Sequence, residues 1–229
     1  MKTIGLLGGM SWESTVEYYR IINTCVKEKL GGLHSAKCLL YSVEFAELAG
    51  HLAEGRWGEI EKILTAAALN LQGAGADFII IATNTMHQVA GEIAAAISIP
   101  LLHIADCAAA AAERAGVKKI GLLGTRPTME MDFYRKTLAD KGFEVLTPPL
   151  EARNAMHKII FDELCQGRLS ESSRRAGLEI LQGLESEGAE GVILGCTELG
   201  LLYKPQDSTL PLFDTAELHA KAAVEMALS

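Results

Sequence analysis

Two stretches of this chain run in parallel: "TIGLLGGMSWESTVEYYR" at residues 3–20 and "KIGLLGTRPTMEMDFYR" at residues 119–135. Both open on Ile-Gly-Leu-Leu-Gly, pass through a polar corner and reach an aromatic-Tyr-Arg triplet. A short apolar run closed by glycine and followed by an amphipathic stretch reads as a buried strand feeding a helix. The echo continues further along. Gly75-Ala76-Asp77 leads into "FIIIATNTMH" (78–87), and Gly188-Ala189-Glu190 leads into "GVILGCTELG" (191–200). Residues 100–106 and 211–214 each begin with proline, run apolar and end at aspartate. A repeat of about 115 residues is too long for a solenoid and suits duplication of a small α/β domain.

Each half alternates Ile/Leu/Val runs with long amphipathic stretches. Continuous apolar strands alternating with helices imply parallel sheets covered on both faces. Strands are expected at 3–7, 36–42, 78–82, 101–104, 119–123, 144–146, 191–194 and 212–214. Helices are expected at 14–29, 60–72, 86–96, 105–115, 130–141, 152–165, 170–187 and 216–228. The fold class is therefore α/β, with two similar domains, each a short parallel sheet flanked by helices. The expected division is 1–98 with the C-terminal helix 215–229, and 99–214, the break falling near residues 99–105.

Composition narrows the function. The chain has 229 residues, 49% apolar and 6% aromatic, so its core is aliphatic. A net charge of −8 and the lack of a basic cluster exclude a nucleic-acid surface. Five cysteines without a C-x-x-C pair give neither a disulfide framework nor a zinc site, and a reducing cytoplasm is expected. The opening apolar run is too short for a signal peptide, and no run reaches membrane-spanning length.

In open parallel sheets, ligands bind beyond the carboxyl ends of strands. Four corners qualify: Gly8-Gly9-Met10-Ser11, Thr83-Asn84-Thr85, Gly124-Thr125-Arg126 and Gly195-Cys196-Thr197. If the two domains face one another, all four line one cleft. Thr83 and Cys196 hold equivalent places, a hydroxyl in one half and a thiol in the other. Cys196 reads either as a packing residue or as an acid/base whose pKa is lowered by a following helix N-terminus. Thr83 reads either as a helix cap or as one wall of a site, with Asn84 and Thr85 donating to a carboxylate. The glycine loop is neither a dinucleotide fingerprint nor a P-loop, and it marks either a tight turn or close approach to a ligand. His87, one turn beyond Thr83, reads as a structural histidine. No metal-ligand spacing and no G-x-S-x-G motif is present.

"IGLLGGMSWEST" followed by "YYRIIN", "NTMH" after a buried strand and "GCTE" after its repeat resemble the aspartate/glutamate racemase superfamily. The likeness covers nearly the whole chain and is greatest to the aspartate racemase branch with its bacterial broad-specificity amino-acid racemases. It implies two domains related by pseudo-twofold symmetry, an active site in the cleft between them, frequent homodimers, and neither pyridoxal phosphate nor metal. It implies a two-base mechanism in which one residue takes the α-proton and the other returns one to the opposite face. The two bases map onto Thr83 and Cys196. Most of the family has cysteine at both positions, so Thr83 is a departure, and it suggests that the two directions run unequally. The resemblance assigns Asn84, Thr85, Thr125 and Thr197 to the α-carboxylate and amino group, with Met10 and Ser11 on the floor. The distal group falls near His51-Leu52 and Leu164-Cys165-Gln166, where this chain has no Arg or Lys; Arg56 and Arg168 lie a few residues away. The expected substrate is a small amino acid, acidic or more broadly polar. A decarboxylase or isomerase of a small dicarboxylate, and a binding protein weakened in catalysis, are the rival readings.

Overall fold

A computed structural model describes residues 1–229 apart from the side chains of Leu201 and Pro205. The chain divides into two units, Met1–Ile104 with His219–Ser229, and Ala105–Leu218. The first holds strands β1 (Ile4–Gly8), β2 (Cys38–Ser42), β3 (Phe78–Ile81) and β4 (Leu101–Leu102), all parallel, in the order β2-β1-β3-β4. The second holds β5 (Lys119–Gly124), β6 (Glu144–Leu146), β7 (Gly191–Gly195) and β8 (Leu212–Asp214), also parallel, in the matching order β6-β5-β7-β8. The sequence repeat is thus a repeat of topology. Because β4 pairs with β3, the first unit runs past residue 98 and takes this strand with it.

The central strands explain their own composition. β1, β3 and β7 are buried along their whole length. A strand covered on both faces tolerates only apolar residues and glycine. Ile79, Ile80 and Ile81 are fully buried, each stabilising the fold by roughly 1.5–3 kcal/mol. Helices α1 (Trp12–Leu30), α3 (Trp57–Gly73), α4 (Ala90–Ala96) and α5 (Ile104–Arg114) agree with expectation to within a few residues, as do α8 (Leu150–Asp162), α9 (Glu171–Ser186) and α11 (Thr215–Leu228). Helix α2 (Phe45–Ala53) was not anticipated; the Glu44 carboxylate starts it by accepting from the Glu47 amide at 2.9 Å. The helix expected at 130–141 is two, α6 (Arg126–Glu130) and α7 (Asp132–Asp140), parted by Met131 in extended conformation (ψ 153°). The helix expected at 86–96 begins as a 3₁₀ turn, Thr85–Val89.

A buried histidine cluster closes the first unit. Tyr18 O–H donates to His219 Nδ1 at 2.9 Å, and His219 Nε2–H donates to the Leu102 carbonyl at 2.9 Å. The His87 and His103 rings meet edge-on at 4.5 Å, and those of His87 and His219 at 5.9 Å. The Ile104 amide donates to His87 Nε2 at 3.2 Å, which leaves the proton on Nδ1, donated to the Thr83 carbonyl at 2.8 Å. Both ends of the excursion into the second unit, at Ile104 and His219, are thereby tied to the same neutral histidines.

Burial holds the His219 imidazole down to about 4, and burial followed by repulsion from His103 and His219 holds His87 well below its usual value. The unfolded chain protonates these rings as pH falls through about 6.5, before the native state can. Stability is therefore complete above that pH and lost as pH falls toward the folded values. Between pH 7.5 and 5 His219 alone should remove about 2 kcal/mol. Urea unfolding at the two pH values should show this loss in the native chain and a smaller loss, by about that amount, in His219→Gln; equal pH dependence would contradict the assignment.

Candidate functional site

In each unit the two central strands end side by side. Leu7 is in register with Ile81, so the Gly8–Ser11 loop and Thr83 leave neighbouring strands. Gly124 is in register with Gly195, so Thr125 and Cys196 do the same in the second unit. That contact is close: a Cβ on Gly124 would lie 2.8 Å from the Gly195 carbonyl oxygen. The polar residues singled out from sequence at these corners are mostly buried: Ser11, Thr83, Asn84 and Thr85 in the first unit, Thr125 in the second, with Thr197 half-buried. A group of buried polar side chains directly beyond apolar strands is costly unless partnered or used.

The first glycine loop is a structural turn. Gly9 has φ +92°, and a Cβ there would lie 2.6 Å from the Val43 amide nitrogen. Its own N–H donates to Thr15 Oγ1 at 2.8 Å. Ser11 caps α1 by accepting from the Ser14 amide at 3.3 Å. Met10 is packed into the core of the first unit.

At the Thr83 corner the organising group is His87, which grips the Thr83 carbonyl rather than its hydroxyl. Among the described residues no side chain hydrogen-bonds to Thr83 Oγ1. In the second unit Thr125 occupies the N-cap position of α6 without a side-chain capping bond, its Oγ1 lying 3.2 Å from Thr128 Oγ1. Thr215 O–H donates to the Leu194 carbonyl at 2.7 Å and fixes the end of β7.

The Cys196 corner differs from expectation. The helix beyond it, α10 (Leu199–Leu202), has four residues, and its N-cap is an acid, Glu198. The Cys196 thiol donates to Glu198 Oε2 at 2.9 Å, and the Thr197 hydroxyl donates to the same oxygen at 2.8 Å. Burial first, then the negative charge of Glu198, push the thiol well above its ordinary value. Of the two readings of Cys196 from sequence, the acid/base one expected a lowered pKa, and the shift runs the other way. A four-residue helix supplies little dipole, and a buried carboxylate opposes the thiolate directly. Glu198, itself buried against the thiol, is the corner residue that the sequence reading passed over; the available signal was an acid two residues after the cysteine.

The residues expected near a distal group fall in both units, and one of them, Cys165, packs against the core cluster that holds Cys196 and lies close enough to act on its thiol. Leu52 and Cys165 are partly buried and packed against the two hydrophobic cores. Gln166 and Arg168 are exposed and bonded to each other, and Arg168 Nη2 also donates to the Asp162 carbonyl at 3.2 Å. Arg56 pairs with Glu54 at 3.1 Å. Arg126 is exposed, its amide donating to His157 Nδ1 at 3.3 Å. Among the described residues no group of three His, Cys, Asp or Glu side chains is placed to hold a metal, and no helix is long and apolar enough to cross a membrane.

The family model described as Asp/Glu/Hydantoin racemase matches residues 7–223. The broad specificity amino-acid racemase RacX of Bacillus subtilis (strain 168) is 28% identical over 231 residues, 99% of this chain and 98% of that one. The crystal structure of a putative Asp/Glu racemase from Yersinia pestis superposes with a TM-score of 0.93 at 52% identity over the full length of both chains. An aspartate racemase homologue from Pyrococcus horikoshii OT3 superposes with a TM-score of 0.87 at 40% identity, again over both full lengths.

The raised thiol gives a direct measurement. Iodoacetamide labelling of Cys196, read on its own peptide by mass spectrometry, should still be accelerating as pH rises through 9. A plateau at or below about pH 8, as for an activated thiol, would contradict the geometry.

Proposed function

Because the chain belongs to the Asp/Glu/hydantoin racemase family, we propose that it interconverts L- and D-amino acids by removing the α-proton from one face of the α-carbon and returning a proton to the other. Cys196 serves one face and Thr83 the other, without pyridoxal phosphate or metal. The observation that carries this reading is the repeated corner. Two parallel sheets of identical strand order end in equivalent loops, each with a protic side chain directly beyond the buried strand. Asn84, Thr85, Thr125 and Thr197 hold the α-carboxylate and amino group, with Ser11 and Met10 beneath. RacX, named for broad specificity, and the aspartate racemase homologue point to an acidic or polar amino acid.

The distal end is assigned to Leu52, Cys165, Gln166 and Arg168. Arg168 is already engaged by Gln166 and the Asp162 carbonyl. Only its remaining N–H groups are left for a second carboxylate, so the same surroundings suit neutral polar side chains. The two acid/base groups are unequal. A thiol beside a carboxylate has a proton acceptor at hand; the Thr83 hydroxyl has none among the described side chains.

The protein is assigned to the cytoplasm, in keeping with five free cysteines, and to a homodimer. The dimer reading is supported by Trp12, Val16 and Tyr19, exposed at helical spacing on one face of α1, and by exposed Leu40 and Tyr41 on the edge strand β2.

Chiral chromatography after incubation with L- and D-aspartate, glutamate, serine and homoserine should show inversion of at least one pair. Cys196→Ala should lower that rate by about 10²-fold or more; equal rates in the two proteins would refute the role. In light-scattering chromatography the native chain should run as a dimer and the double variant Val16→Asp/Tyr19→Asp as a monomer. A native monomer, or a variant that still dimerises, would contradict the dimer.

A further inference from the structure

We infer that His87 is a positioning residue for Thr83: its ring aims the hydroxyl, and inversion at the α-carbon depends on that aim whereas exchange on the Cys196 side does not. The inference deepens the proposed racemisation and rests on it for the substrate. Its ground is the backbone on either side of Thr83. Before it, the Ala82 amide donates to the Leu7 carbonyl at 2.9 Å, which ties the corner to β1. After it, the His87 amide donates to the Asn84 carbonyl at 3.0 Å, the i→i+3 pattern of a 3₁₀ turn. An α-helical turn would have directed that amide to the Thr83 carbonyl. The carbonyl takes its bond from the His87 ring instead, at 2.8 Å. Thr83 is therefore clamped on both sides, by one sheet bond and one side chain.

The ring is itself held from several directions. The Ile104 amide donates to Nε2 at 3.2 Å, so the ring proton sits on Nδ1. The other tautomer would set a lone pair against the Thr83 carbonyl oxygen. His103 meets the ring edge-on at 4.5 Å and His219 at 5.9 Å. His219 is anchored in turn by Tyr18 and the Leu102 carbonyl. The clamp on Thr83 thus reaches α1, the start of α5 and α11. His87 is 3% exposed and Thr83 9%, so little water is at hand to replace the ring bond. A buried imidazole is costly unless its nitrogens are partnered, and a backbone amide would close the turn without one. What the ring adds is a fixed direction for the residue it grips. A hydroxyl is a weak acid/base whose rate depends steeply on reach and direction, and an error of about 1 Å can cost about 10²-fold. Cys196 belongs to the other unit and is held there by Glu198, so its side of the chemistry does not draw on the clamp.

The test compares His87→Asn and His87→Gln in the full chain. Asparagine places an amide N–H near the Nδ1 position and keeps the bond to the Thr83 carbonyl. Glutamine places it near Nε2 and loses that bond. Each pure enantiomer of the amino acid that the native chain racemises is followed in D2O by proton NMR and chiral chromatography. In H87Q inversion should fall about 10-fold or more, while exchange of the enantiomer whose α-proton faces Cys196 stays within about 2-fold of native. In H87N inversion should lie close to native. A merely structural loss would lower exchange and inversion together. That result, native inversion in H87Q, or equal losses in the two variants would overturn the inference. A second measurement depends on neither variant: in the native chain the three-bond couplings of the Thr83 methyl should report a single χ1 rotamer, and averaging over several would overturn the inference equally. A native chain that exchanges no amino acid would instead refute the racemase reading, leaving the Thr83 rotamer in native and H87Q protein to decide the positioning.

Discussion

A parallel strand buried on both faces can carry chemistry only past its last residue. β3 and β7 obey this constraint, and the rest of the molecule follows from it. Every side chain along these strands is spent on packing, so polar groups are confined to the corner where the chain leaves the sheet. Parallel pairing brings a second corner alongside, from β1 or β5. Each unit thus places two polar loops together without a polar residue inside the sheet. Duplication repeats the arrangement, and it makes the differences between the two halves informative.

Those differences lie in what grips each corner. At Thr83 a neutral histidine, fixed in its tautomer by the Ile104 amide, holds the backbone carbonyl and leaves the hydroxyl alone. At Cys196 a carboxylate accepts directly from the side-chain thiol. The first arrangement fixes the backbone; the second holds the side chain itself. A hydroxyl is a far weaker acid than a thiol and has the less helpful neighbour. The asymmetry between the two corners is therefore larger than the single change from thiol to hydroxyl.

Much of this was legible in the residues. The eight strands were placed to within a few residues because aliphatic runs bounded by glycine have few other readings. The duplication was visible in repeated pentapeptides, and the corners followed from where those runs stop. What failed depended on tertiary contact or local backbone. Helix α2 starts from a glutamate cap, a residue that carries no strong start signal. The break at Met131 is a matter of ψ alone. The sign of the Cys196 shift required knowing that α10 stops after four residues and that Glu198 is buried facing the thiol. Exposure of Arg168 and its bond to Gln166 could not be read from spacing either.

Under the racemase proposal the Cys196 thiol is the stronger acid/base and the Thr83 hydroxyl the weaker. The most direct measurement is proton NMR of each pure enantiomer of the racemised amino acid in D2O, with exchange at the α-carbon and inversion followed together in the native protein. For one enantiomer deuterium should enter faster than the centre inverts, whereas for the other deuterium should enter only as it inverts. Equal ratios of exchange to inversion for the two enantiomers would contradict it.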